Sequence, residues 1–317
     1  MTVRALNFFN PIKKHFKRSY LKSLGALTAA TLTLVSSPAW AGDPFRTTNE
    51  YAIGPHTEAA FEAFFKEGNY VDASEALEQA LATEADEPMV HAMAASIAYL
   101  NEEWDTVSSE AALTKSTAEA LLDSQPLRGH LYSAVGIFME GAHMIGTEGL
   151  AQSTPAALAM LQQVFNHMGE AEKIDNTDPE LNLVKGFMDL MLAVNLPFSD
   201  PAEAIERLSD YGSPTYLAYR GIALGYRDLG QMADAMTAVE QALAAAPENP
   251  ELFYLKAQLH RRQSETNESV AMFDKALEYA GQLPYDLARR IYKEKCRTEG
   301  GSHEACGTEA TDFMNSL

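Results

Sequence analysis

A 34-residue period between Tyr216 and Ala280 constrains this chain more than any other feature. Tyr219, Ala223, Ala235, Val239 and Ala242 are answered 34 positions later by Phe253, Ala257, Ser269, Phe273 and Ala276. Ile222, Tyr226 and Pro247 complete the first set. Apolar residues recurring every three or four positions mark helices. The alternation of small and large residues has a packing reason. Small side chains let two antiparallel helices cross closely, and aromatic or branched ones fill the space beside the crossing. A period of this length is one helix–turn–helix unit. Such a unit cannot bury its apolar face alone, so neighbouring units must stack.

The same offsets recur towards the N-terminus. Phe61, Phe64, Gly68-Asn69-Tyr70, Ala73, Leu77 and Ala80 form one copy, and Asp86-Glu87-Pro88 begins the next turn. A degenerate copy holds Ala95, Trp104, Val107 and Ala111, with Thr114 at the last small position. Ala171, Asp178-Pro179, Gly186, Ala204 and Leu208 make a further partial copy, lengthened at Asn195–Asp200. Residues 126–174 hold two long apolar helices with no repeat signature.

On these residues the chain resembles the tetratricopeptide-repeat family. The resemblance implies an all-α superhelix in which the first helix of each pair lines a concave groove that receives a peptide or protein segment. It places Phe65, Tyr99, Arg220, Leu224, Arg227, Tyr254, Gln258 and Arg261 on the inner face. The family's carboxylate clamp needs Lys and Asn at positions that here carry Arg220, Leu224, Glu251 and Leu255, so the clamp does not carry over.

Residues 1–41 contain Arg4, Lys13, Lys14, Lys17, Arg18 and Lys22 and no acid. The apolar run Leu24–Val35 and Ala39-Trp40-Ala41 follow. This is the pattern of a signal peptide cleaved after Ala41, and the run is too short to stay as a membrane span. Phe16–Lys22 also resembles a twin-arginine signal with Lys17 in place of the first arginine, so either that route or the general secretory route fits. The expected home is the periplasm or the secreted fraction. The expected organisation is a leader at 1–41, an extended lead-in at 42–55, helical repeats at 56–299 and a short tail at 300–317. A break is expected at Gly146–Ser153, and a capping helix at Leu283–Cys296.

Without the leader, 18 bases remain against 44 acids, a net charge of −26. That field repels DNA, RNA and anionic lipid, so no nucleic-acid partner is expected. No phosphate loop, nucleophile elbow or paired-histidine zinc spacing is present, so neither an enzyme nor a cofactor is expected. Met139 and His143 stand four apart beside Glu140, but core packing is the favoured role. Cys296 and Cys306 flank a Gly-Gly turn. In an exported chain they read as a disulfide, the alternative being a metal site with His303 that lacks ligands.

The functional reading is an exported interaction scaffold whose groove arginines attract an acidic partner. Reversal of Arg220 and Arg227 is expected to leave stability unchanged. The alternative reading is a solute-binding protein with a pocket in residues 126–200, where Leu196–Pro201 either forms a rim or plugs the core.

Overall fold

The structure is a computed structural model that describes residues 42–195 and 201–317. The leader, its cleavage site up to Ala41 and nearly all of the Leu196–Pro201 loop lie outside the described residues. Among those described there are fourteen α-helices and no strand, arranged as seven successive pairs. The first five helices are α1 (Pro55–Phe61), α2 (Tyr70–Thr83), α3 (Pro88–Leu100), α4 (Trp104–Ala120) and α5 (Pro126–Glu148). Then come α6 (Leu150–Ile174), α7 (Pro179–Asn195), α8 (Pro201–Tyr211), α9 (Thr215–Leu229) and α10 (Met232–Ala245). The last four are α11 (Pro250–Arg262), α12 (Thr266–Leu277), α13 (Tyr285–Thr298) and α14 (His303–Ser316).

Proline opens α1, α3, α5, α7 and α11, the first helices of their pairs, where its fixed φ suits the first turn and its missing N–H leaves no bond unmade. The preceding residue often caps. Asn249 Oδ1 accepts from the amides of Glu251 and Leu252, and Asp178 Oδ1 accepts from Leu181 N at 2.9 Å. The small positions of the repeat, Ala73, Ala80, Ala95, Ala111, Ala223, Ala235, Ala242, Ala257 and Ala276, are all buried. Where a hydroxyl replaces alanine it finds an acceptor: Ser269 Oγ donates to Ala257 O at 2.8 Å, and Thr114 Oγ1 donates to Glu110 O at 2.8 Å. That satisfaction lets both copies keep the crossing.

Two boundaries differ from the sequence reading. The expected break at Gly146–Ser153 shrinks to one residue, Gly149, at φ 83° and ψ 155°. The expected tail at 300–317 is instead the helix α14, which packs on α13 to complete a seventh pair. Tyr292 therefore stacks on Phe313 of α14, with ring centroids 4.7 Å apart, rather than on the repeats. The apolar end of the array is covered by a pair rather than by one helix.

The chain also returns on itself. A π-helical turn, Glu62–Glu67, continues α1 and ends at Gly68, whose φ of 63° is left-handed. A Cβ there would lie 2.9 Å from Pro250 Cδ, so only glycine allows α11 to approach. Asn249 Nδ2 donates to the carbonyls of Phe65 and Lys66, both at 3.1 Å, and Tyr70 Oη donates to Glu251 at 3.0 Å. The first pair is thereby fastened to the sixth, and the lead-in 42–54 is drawn inside, with Asp43, Phe45 and Ile53 buried.

Cys296 and Cys306 form a disulfide with Cα atoms 5.6 Å apart, and Gly301 packs directly on both sulfurs. Closing this short loop contributes about 3 kcal/mol in the chain-entropy account. Cys306→Ser should leave the repeats folded while lowering the stability of the α13–α14 pair by that order, read as faster amide exchange confined to residues 285–317.

A candidate partner-binding face and the ion network behind it

Helices α9, α11 and α13 are first helices of consecutive pairs, and their side chains join into one face. Arg227 Nη1 donates to Gln258 at 3.1 Å, and Gln258 Nε2 to Glu294 at 3.4 Å. Tyr254 Oη donates to Glu294 at 2.9 Å, and Arg261 Nη1 lies 3.2 Å from the same carboxylate. Four of the residues expected on the inner face, Arg227, Tyr254, Gln258 and Arg261, are thus brought together. Arg262, not singled out from sequence, joins them by donating to Arg227 O at 2.8 Å. This is the C-terminal end of α9, where the helix dipole favours positive charge.

The charges on this face do not cancel. Arg227 pairs with Asp228 at 2.9 Å, and Arg262 reaches the same carboxylate at only 3.9 Å. Arg261 shares Glu294, and Arg290 stands near the Tyr254 phenol. Arg290 also faces Asp286, so the excess on this face is that of Arg227, Arg261 and Arg262 over the carboxylates of Asp228 and Glu294. Partial burial lowers the Arg262 pKa below the ordinary guanidinium range, and the neighbouring Arg227 and Arg261 lower it further against the pull of Asp228. Arg261 and Arg262 remain 42% and 47% exposed.

The other expected site residues lie elsewhere. Arg220 is not a free anchor. Its guanidinium binds Glu251 at 2.6 Å beneath Tyr70, within the contact that fastens the first pair to α11. Burial pulls its pKa down, but Glu251 and Tyr70 outweigh that and raise it. Reversing its charge would place two carboxylates together in a largely desolvated site, so the expectation of unchanged stability does not hold for Arg220. Phe65 sits among Phe61 and Phe64, at centroid distances of 4.8 and 4.4 Å. Tyr99 packs edge-on against Trp104 at 5.4 Å, at the end of α3. Leu224 is buried core.

The residues that sequence reasoning missed are the most constrained. Arg46, in the lead-in, donates to Asp43 at 2.8 Å, to Asp178 at 2.5 Å and to Glu180 at 3.1 Å. Arg128 donates to Glu87 at 2.6 Å, and its Nε stands 3.4 Å from Glu180, within charge attraction but without hydrogen-bond alignment. Tyr132 Oη donates to Glu180 at 2.6 Å. The Tyr51 ring lies under both guanidinium groups, at 4.5 and 5.2 Å. Burial pushes the Glu180 carboxyl up, more than Arg128, Arg46 and the Tyr132 hydrogen bond bring it down. Only a local signal existed for this network, the Glu-Pro and Asp-Pro-Glu openings at 87–88 and 178–180.

An open cleft of about 560 Å³ lies between α6, α7 and α8. Its rim carries Glu172, Glu203, Glu206 and Asp210 with Lys173 and Arg207, so it is an open cleft with a charged rim rather than an enclosed cavity. Among the described residues no three His, Cys, Asp or Glu side chains are grouped to hold a metal, and no helix is long and apolar enough to cross a membrane.

Arg128→Leu should lower stability by about 3–5 kcal/mol in urea unfolding, because it strands Glu180 and Glu87 in a desolvated site. The buried phenols give a pH signature. Burial, then the carboxylates of Glu251, Glu180 and Glu294, raise Tyr70, Tyr132 and Tyr254 respectively above the ordinary tyrosine value. Unfolded tyrosines ionise near pH ~10 while these stay protonated. Their contribution is full below that pH and is lost as pH rises through it, since the unfolded state then binds fewer protons. Absorbance titration at alkaline pH should show these phenols ionising only as the far-ultraviolet helical signal collapses.

Residues 220–286 match the family model described as tetratricopeptide repeat. These residues carry tetratricopeptide repeats, and the helix pairs around them continue the same all-α solenoid architecture. Similar solved structures include PilW, a widely conserved type IV pilus biogenesis factor, at 15% identity and TM-score 0.46, covering 72% of this chain and 92% of that one. Human IFIT1, solved as a dimer with m7Gppp-AAAA, is 13% identical with TM-score 0.46, covering 83% and 67%. The TPR2AB domain of yeast Sti1, in complex with pHSP90, is 14% identical with TM-score 0.28, covering 81% and 97%. No curated protein sequence matches significantly.

Proposed function

We propose that this protein is an exported interaction scaffold that holds an acidic protein segment against the α9–α11–α13 face, without catalytic chemistry of its own. The observation that carries the reading is the surplus of guanidinium groups there, on a body whose net charge without the leader is −26. An anion approaching such a body is repelled everywhere except at a local positive well. Arg261 and Arg262 supply exposed planar donors suited to carboxylates, Arg227 sits behind them, and Tyr254 with Gln258 forms the floor.

Export rests on the basic leader, the Ala39-Trp40-Ala41 motif and the disulfide, which persists in oxidising compartments such as the periplasm. The solute-binding alternative needs an enclosed, mostly apolar pocket within residues 126–200. The cleft between α6 and α8 has charged walls and opens to water, so the scaffold reading is the better supported.

The test is reversal of the two most exposed arginines. Arg261→Glu with Arg262→Glu should change stability by less than about 1 kcal/mol, because exposed ion pairs contribute little. A photo-crosslinker placed at Gln258 in cells should capture a protein partner in the parent chain and lose that adduct in the double variant. Undiminished capture would remove this face from the binding surface.

A further inference from the structure

The lead-in begins abruptly. Asp43 is already buried, its carboxylate accepting from the amides of Phe45 at 2.9 Å and Tyr51 at 3.1 Å and from Arg46 at 2.8 Å. Phe45 is buried against Phe61 at 5.0 Å. Gly42 stands one residue before this lock. Its amide nitrogen is directed at the carboxylate of Glu58 on α1, and a Cβ on Gly42 would lie 3.1 Å from Glu58 Oε1.

Around that nitrogen the charges are one-sided. Glu50 and Glu62 flank Glu58, and among the described residues the nearby base Lys66 is paired with Glu62 at 2.9 Å. Burial raises the Glu58 carboxyl, the Gly42 amide brings it down, and Glu62 and Glu50 raise it again. A neutral peptide N–H is a weak partner for such a cluster. A full positive charge at the same atom would be a strong one.

We infer that cleavage of the Ala41–Gly42 bond completes the fold, because the new α-ammonium of Gly42 forms an ion pair with Glu58 that the uncleaved chain cannot make. This rests on the export reading above. Hydrolysis by a signal peptidase consumes one water: its oxygen joins the Ala41 carbonyl carbon as the C–N bond breaks, leaving a carboxylate on the leader. The Gly42 nitrogen takes up the protons and becomes an ammonium. The ion pair would fasten the strap 42–54, and with it Arg46, at the moment the leader departs. Maturation and final stability are then one event.

The amine's ordinary pKa is about 8. Paired with Glu58 it is raised, so its contribution is full below pH ~8 and is lost as pH rises through the higher folded value. The experiment uses protein purified after export, labelled in glycine, with the Gly42 amine followed by NMR titration. The expected result is a titration above the ordinary value in the parent chain and a return to it in Glu58→Gln. The unfolding midpoint should likewise fall more steeply between pH 7 and 9.5 in the parent than in the variant. An ordinary amine in the parent, or a raised one persisting in Glu58→Gln, overturns the ion pair alone. N-terminal sequencing of the same sample that finds a residue other than Gly42 overturns the pair together with the cleavage site on which it rests.

Discussion

Glu180 carries a carboxylate into a place with no water, and the N-terminal half of the molecule is arranged around that fact. It is fully buried, and an isolated charge there would be prohibitively costly. Arg46, Arg128 and Tyr132 together satisfy it. Each comes from a different place: the lead-in for Arg46, the first turn of α5 for Arg128, and the next turn of α5 for Tyr132. Through Glu87 and Asp178 the same network caps or orients the starts of α3 and α7. One buried carboxylate therefore fixes the relative position of three first helices and the strap that crosses them. Replacing the whole set with apolar residues would stabilise as well or better; the charged set's advantage is that only one arrangement satisfies every member.

The strap has a consequence for recognition. In an open array the first helices of all pairs would offer one continuous groove. Here the interior near the starts of α3, α5 and α7 is occupied by Asp43, Phe45, Arg46 and Tyr51 from the chain itself. The contact of Asn249, Glu251 and Pro250 with the first pair closes the remaining side. Among the described first helices, the stretch from Arg227 across Gln258 to Arg261 and Glu294 stays accessible. The proposed partner face and the self-closing contact thus use neighbouring parts of the same two helices. Arg220 and Arg227 differ by two turns on α9 yet serve opposite ends, one internal and one outward.

The tail shows how local covalent chemistry substitutes for missing core. Helix α14 is largely exposed and buries only Cys306 and Ala310. So small an apolar contact cannot hold a helix of this length by itself. The disulfide, the stacking of Phe313 on Tyr292, and the bond from Arg289 Nε to Thr311 at 3.1 Å keep it in place.

Much of this architecture was legible in the order of residues alone. The alanines and aromatics 34 apart mark the helix crossings because packing at a crossing depends on side-chain volume, which is local and periodic. The prolines mark helix starts for an equally local reason, and the cysteine pair is close enough in sequence to name its own partner. The single-residue hinge at Gly149 and the helix α14 escaped because weakly patterned segments take their structure from what they pack against. The same holds more sharply for the site. Nothing near Arg46 or Arg128 announces that these two residues, 82 positions apart, share the carboxylate of Glu180. Nor does the spacing of Arg220 and Arg227 on one helix reveal that the first is consumed by Glu251. Repeats fix how each pair meets its neighbour; only closure of the whole chain decided which charges lost their water and which kept it.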